Sequence, residues 1–214
     1  LTDSPLQQAA RAVLDADAKA VAAIADKVGP EFDACVRLIL GCTGRVVTSG
    51  SGTSGAVARR MAHLLSVCGT PAFYLHPADA LHGSLGALVA GDVLIALSKG
   101  GGSREVNDLV DRALARGASV VAVTATPQSH FAQAAHVVVD VDVPAGADPG
   151  EVVAMGSTVA VSAWSDALAL VLMRARGYRW SDVLFTHPSG AVGQIATPPA
   201  DLEPLPVPAA EPAP

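Results

Sequence analysis

Two stretches of this chain share a pattern that leaves few folds open to it: an apolar run ends in glycines and small hydroxyl residues, then opens a helix. In the first, Arg45-Val46-Val47-Thr48 reads as a short buried strand, Ser49-Gly50-Ser51-Gly52-Thr53-Ser54 as a turn, and Gly55 to Cys68 as a helix. Val57, Met61, Leu64, Leu65 and Cys68 fall at helical spacing. In the second, Asp92 to Ser98 is the strand, Lys99-Gly100-Gly101-Gly102-Ser103 the turn, and Arg104-Glu105-Val106 begins the helix. Glycines in such a turn let backbone N–H groups approach a ligand closely, and the helix N terminus adds partial positive charge. Two such turns at one edge of one sheet would converge on a single phosphate and its carbon skeleton.

Neither turn fits G-x-x-x-x-G-K-[ST]; Gly50, Gly52 and Gly55 fall at G-x-G-x-x-G spacing, but no acidic residue ends the following strand to hold a ribose. Nucleoside triphosphates and dinucleotides are therefore poor fits. One Gly/Ser turn alone is accounted for by tight strand-to-helix geometry; the pair points to a phosphorylated small molecule. Net charge is −6 and the pI about 5.4, with no basic run, which argues against nucleic acid. The apolar run from Val152 to Met173 has the length of a membrane span. It carries Gly156, Asp166 and several serines, so it reads as a helix buried in protein, with no membrane partner. There is no signal-peptide pattern, and Cys35, Cys42 and Cys68 lack metal-ligand spacing. Reduced thiols and a cytoplasmic location are expected.

The rest of the chain completes the alternation. Ser4 and Pro5 cap a first helix running to about Val28, with Leu14, Ala18, Val21, Ala25 and Val28 forming a heptad-like seam for the parent domain or another subunit. A second helix spans Glu31 to Leu40. Thr70 to Leu75 is the second strand, followed by a loop from His76 to Gly86. The fourth strand is Ser119 to Thr124, a short helix lies around Ser129 to Ala134, and the fifth strand is His136 to Val141. The strands read as continuous apolar runs between helices. The expected fold is therefore α/β: a doubly wound, five-stranded parallel sheet with helices on both faces. Residues 1–196 form that domain with its N-terminal helical extension. Residues 197–214, with Pro at seven of eighteen positions, are expected to be a disordered tail.

The stretches SGSGTSGAVARRMAH, CGTPAFYLHPADALHGSLG, DVLIALSKGGGSREV, GSTVAVSAWSDALALVLMRARGY and THPSGAVG carry a resemblance. Together, in this order, they resemble the sugar isomerase (SIS) domain family. Within it they are most similar to the D-arabinose 5-phosphate isomerases of the KpsF/GutQ type. The resemblance implies a flavodoxin-like three-layer sandwich and interconversion of an aldose phosphate and a ketose phosphate through an enediol, with no cofactor. It implies a phosphate held by Ser49 to Ser54 and by Ser98, Lys99, Gly100, Gly101 and Ser103. Glu105 and His187 match catalytic positions, and His82 a substrate-contacting histidine counted with them. Gly69 and Thr70 match substrate-contacting positions, and His76 one that binds an inhibitory zinc. A catalytic lysine is replaced by Thr53, and a loop glutamate falls on or near Gly146. Lys99 is able to supply the missing charge, and Asp142, Asp148 or Glu151 the missing carboxylate. Those departures favour a sugar phosphate other than arabinose 5-phosphate. They also keep open a non-catalytic sugar-phosphate-binding module, a sensor or regulatory subunit. No paired CBS modules follow, so a bare SIS domain is expected. The family resemblance further implies a homotetramer or homodimer in which the His187 loop enters a neighbour's pocket.

Among the other histidines, His63 sits within a helix pattern, and His130 and His136 have no partner in view; all three read as structural or surface residues. Asp166, alone in an apolar helix, requires a hydrogen-bonding partner.

Overall fold

The computed structural model describes residues 3–207. In chain order it contains α1 (Pro5–Ala25), α2 (Pro30–Leu40), β1 (Val46–Gly50), α3 (Gly52–Val67), β2 (Ala72–Tyr74), α4 (Pro77–Leu81) and β3 (Val93–Leu97). There follow α5 (Arg104–Ala115), β4 (Ser119–Thr124), α6 (His130–Ala134), β5 (Val137–Asp140), α7 (Gly156–Ala175) and α8 (Trp180–Phe185). All strand pairs are parallel and the sheet order is β2-β1-β3-β4-β5. The expected five-stranded doubly wound sheet is present.

Adjacent strand residues feed opposite cores, as a pleat of period two requires. Val46, Val93, Ile95, Leu97, Val121 and Val123 pack under α1, α2, α3 and α7. Val47, Leu94, Ala96, Val120 and Ala122 pack under α4, α5 and α6. Both faces are covered, which is why the strands read as apolar runs instead of alternating. Ile95 is fully buried at the centre of β3. Ile95→Ala should destabilise the protein by about 2–5 kcal/mol, read as a shift in the urea midpoint at unchanged slope.

Several elements differ from the sequence reading. Helix α1 rests on α7 through Ala20 and Ile24, whereas seam residues Leu14 and Val28 are 66% and 51% exposed. The seam therefore faces solvent within one chain. Helix α7 begins at Gly156, not Val152, because Asp148 caps it and Glu151 takes a left-handed φ of 54°. Asp166 pairs at the surface with Arg60 of α3, at 2.5 and 3.0 Å, and both are about half exposed. Such an exposed pair contributes about 1 kcal/mol or less. Of the Pro-rich segment, residues 200–205 lie along the end of α7. Trp180 donates to Asp201 and Ala200, Arg174 to Glu203 O, and Leu205 N–H to Arg174 O. The end of that segment, residues 208–214, lies outside the described residues.

Candidate functional site

In a sheet of order 2-1-3-4-5, the connections leaving β1 and β3 depart to opposite faces. A crevice opens between their carboxyl ends, and both Gly/Ser turns lie there. Gly50 ends β1 against two backbones: a Cβ there would stand 3.0 Å from Leu97 O and from Ser54 C. One at Gly55 would stand 2.6 Å from Gly50 O. Only glycine permits α3 to start this close to the strand end. Gly55→Ala should therefore lower the melting temperature and weaken any anion binding together. A variant retaining both would contradict the close-approach argument.

Ser51 is the N-cap of α3, and its hydroxyl donates to Glu105 Oε1 at 2.6 Å. Gly55 N–H, bonded to Ser51 O at 3.1 Å, begins the helical ladder of α3. The amides of Gly52, Thr53 and Ser54 precede it and point out of the helix end. Ser103 is the N-cap of α5 and likewise makes no side-chain cap bond. Val106 and Asn107 N–H bond back to Ser103 O, leaving the amides of Arg104 and Glu105 ahead of the ladder. Two helix N termini thus converge where strand order reverses, with one carboxylate between them. The Ser51 hydroxyl, and then Glu105's own backbone N–H, hold the Glu105 carboxyl below the usual glutamate value; partial burial opposes this and His76 reinforces it.

His76, at the start of α4, accepts the Ala78 N–H on Nδ1 at 3.2 Å. Its neutral form is thereby fixed with the proton on Nε2. With Nδ1 taken by that cap, Nε2 is the ring nitrogen left for the zinc implied at His76. Among the described residues no group of three or more His, Cys, Asp or Glu is arranged to hold a metal. His82 ends α4, exposed, on the same edge of the sheet. Two groups missed in the sequence also belong to this edge. The Tyr74 hydroxyl donates to Gly50 O at 2.9 Å, and Arg59 stacks over the Tyr74 ring with its Cζ 4.4 Å from the centroid. Burial, ahead of the opposing Arg59 charge, pushes the Tyr74 pKa up. Arg59 lies one helical turn beyond Gly55, which was the available signal.

Other expected site residues fall elsewhere. Ser49 is inside β1, fully buried, its hydroxyl donating to Leu75 O at 2.7 Å, so it is a strand residue and not an anion ligand. Ser98 is also buried at the end of β3, at the base of the second turn, while Gly100 is exposed. Gly101 needs its φ of 66° and its missing side chain, because a Cβ would run into Ser129. Gly69 and Thr70 stand at the opposite edge. They precede β2, whose Ala72 pairs with Val46 at the start of β1. Six strand positions, about 20 Å, therefore separate Thr70 from Gly50. Gly69 closes α3 with a φ of 81° against the Tyr178 ring, and Thr70 Oγ1 accepts from Arg176 Nε at 3.2 Å. Within one chain both serve the packing of α3 on α7. His187 follows α8, where its Nδ1 lies 2.6 Å from Val183 O and 3.4 Å from Thr186 Oγ1. All its polar contacts are in its own segment.

Lys99 and Asp148, two of the candidates for the missing groups, are bonded to each other at 2.5 Å. Asp148 also accepts Met155 N–H at 2.8 Å, Ser157 N–H at 3.0 Å and Ser157 O–H at 2.7 Å. Burial raises the Asp148 carboxyl, but Lys99, Ser157 and the amides outweigh it and hold the pKa at about 2. This carboxylate is a strut between the second turn and α7. The Gly146 amide, at the loop-glutamate position, instead donates to Glu151 Oε1 at 2.8 Å. Glu151 and Asp142 are the exposed carboxylates of that loop.

A cavity of about 790 Å³ lies away from this edge, between α2 and the outer strand β5, lined by Phe32, Trp164, Val137 and Val139 among others. Lys27 on its rim is already engaged by Asp140 at 3.0 Å. Glu31, Arg37 and His136 also line the cavity, but it lies apart from the paired Gly/Ser turns and from Glu105.

Comparison with known proteins agrees with this fold. Residues 39–171 match the family model described as SIS domain. The chain is 36% identical over 188 residues to arabinose 5-phosphate isomerase GutQ of Escherichia coli K12, covering 88% of this chain and 59% of the relative. It is 37% identical over 175 residues to arabinose 5-phosphate isomerase KdsD of Pseudomonas aeruginosa, covering 82% of this chain and 54% of the relative. The chain thus spans little more than half the length of these curated relatives. A solved Listeria monocytogenes protein assigned as a sugar-phosphate isomerase superposes with a TM-score of 0.83 at 32% identity, covering 88% of this chain and all of that one. A protein of Escherichia coli CFT073, solved in complex with A5P, superposes with a TM-score of 0.83 at 28% identity and the same coverage. By sequence and fold, the chain belongs to the SIS domain family.

Proposed function

We propose that this protein is an aldose–ketose isomerase acting on a phosphorylated sugar of the arabinose 5-phosphate type. The observation that carries the reading is Glu105, a carboxylate held 2.6 Å from Ser51 between two helix N termini, with the amides of Gly52, Thr53, Ser54 and Arg104 ahead of the helical ladders. The relatives named as arabinose 5-phosphate isomerases support the reaction class. The phosphate sits on the amides and hydroxyls of Thr53, Ser54 and Ser103, which places the sugar's reactive end beside Glu105. Glu105 takes the proton from C2 of the aldose while the carbonyl oxygen at C1 gains one, giving an enediol. Return of a proton to C1 and loss of the O2 proton give the ketose. The His76 Nε2–H and the exposed His82 are the donors on this edge for the oxygen shuttle. Replacing Ser54 and Ser103 together with alanine should weaken sugar-phosphate binding by about tenfold or more. Unchanged affinity by calorimetry would move the phosphate elsewhere.

We further propose a homodimer or homotetramer with shared sites. The exposed α1 seam (Leu14, Val28) and the His187 loop, distant in chain and uninvolved with Glu105, support it. Inactive Glu105→Gln and His187→Ala chains, refolded together, should recover part of the activity in mixed assemblies. No recovery, with mixing confirmed by mass, would assign a whole site to each chain.

A sensor or regulatory module is the second reading. It is favoured by Thr53 and Gly146, which bring neither charge nor base, and by Lys99 and Asp148, which neutralise each other. Stabilisation by several sugar phosphates without turnover of any would select it.

A further inference from the structure

Two roles compete for the Ser51 hydroxyl. An N-cap serine ordinarily offers its side-chain oxygen to an amide of the first helical turn. Ser51 makes no such bond, and its proton goes across the crevice to Glu105, 54 positions away in the chain. One hydroxyl therefore borders both the anion-binding amides of α3 and the carboxylate of α5. A hydroxyl proton directed at a carboxylate stabilises its charged form, and a carboxylate so stabilised is a weaker base. His76 faces Glu105 from the start of α4. On α5 itself, Arg104 and Asp108 pair with each other at 3.8 Å. Lys99, from the second turn, is drawn away to Asp148. Of these groups, Ser51 is the one that also borders the first turn.

Resting on the reading of the two turns as a phosphate site, we propose that Ser51 is a positioning residue that couples phosphate occupancy to Glu105. In the empty site its hydroxyl parks the carboxylate. When a phosphate reaches the amides of Gly52 to Ser54, the hydroxyl turns to a phosphate oxygen and leaves Glu105 free to take a proton. The serine carries one donatable proton, so it serves one acceptor at a time. No proton leaves Ser51; only its acceptor changes. The base is then strongest when the phosphate end of a substrate is in place. The phosphate thus contributes to turnover as well as to affinity.

The test is a pH titration of the Glu105 carboxyl by carbon NMR in the full chain, with and without inorganic phosphate. Phosphorus NMR of the same samples reports occupancy. Without phosphate, Ser51→Ala should raise the Glu105 pKa towards the ordinary glutamate value, and Ser51→Thr should keep it low. The charge of phosphate raises that pKa in every variant, but wild type and Ser51→Thr should rise further than Ser51→Ala, because only they lose a hydroxyl bond. The melting temperature of Ser51→Ala should stay near wild type, since the hydroxyl caps nothing in α3. Equal phosphate-induced rises in wild type and Ser51→Ala, with phosphate bound to both, would overturn the hand-over while leaving the phosphate site intact. Phosphate that binds neither would overturn the phosphate reading, and the hand-over with it.

Discussion

Glu105→Gln is expected to lower sugar-phosphate turnover by about 10²–10⁴-fold, the usual contribution of a positioned acid–base group, with KM little changed. Glutamine keeps the length of the side chain and an oxygen able to accept the Ser51 hydroxyl, so the crevice keeps its shape. It cannot accept the substrate's proton. A loss in kcat at nearly constant KM marks a group that acts in the transition state and not in binding. Because Glu105 is partly exposed and lies at a helix end, the substitution should leave the melting temperature nearly unchanged. Near-normal turnover would remove Glu105 from the mechanism.

A large effect on stability, with its own pH signature, is expected from Asp148→Asn. The Asp148 side chain is 1% exposed and accepts from Lys99, from Ser157 twice and from Met155. An amide in its place turns one acceptor into a donor. That donor must then face either the Lys99 ammonium with the Ser157 hydroxyl, or the two amides at the start of α7. Breaking a buried ion pair costs about 3–5 kcal/mol; with Lys99 partly exposed, about 2–3 kcal/mol is the appropriate scale. That corresponds to a fall in melting temperature of about 5–10 °C. The pH dependence follows from the depressed carboxyl pKa, about 2 against an ordinary 3.8. The stabilisation is fully present above pH 3.8 and is lost as the pH falls through about 2. Wild type should therefore lose stability over that interval more steeply than Asp148→Asn, the two curves converging in acid. Parallel curves would show that Asp148 is not the strut between Lys99 and α7.

The strands and turns were legible because they obey local rules. Val46-Val47 and Val93 to Leu97 are apolar runs, and each stops at residues too small to continue a core. The candidate site was partly legible for the same reason, since Ser51, Ser54, Ser103 and Glu105 lie in the turns or in the first helical turn that follows them. What was not legible depends on distance in the chain. Lys99 and Asp148 were each recognised as replacements for missing groups, but 49 positions separate them and only the fold brings them together. Seeing them joined withdraws both as free substitutes. The same holds for Tyr74, which reads as a strand residue until its hydroxyl is found on Gly50 O. Gly69 and Thr70 enter β2 while the crevice lies at its exit, so within one chain they do not reach Glu105; similarity carries no direction along a strand. Helix α8 escaped because its six residues are too few to show a helical period.

The central claim is that the crevice moves a proton between adjacent carbons of a phosphorylated sugar. It is tested most directly by incubating the protein in deuterium oxide with a panel of pentose, hexose and heptose phosphates, arabinose 5-phosphate included, followed by proton NMR. The account predicts that at least one aldose phosphate gives its ketose, with solvent deuterium on the carbon next to the carbonyl, and that Glu105→Gln suppresses both. Sugar phosphates that raise the melting temperature yet show neither ketose nor deuterium would contradict it.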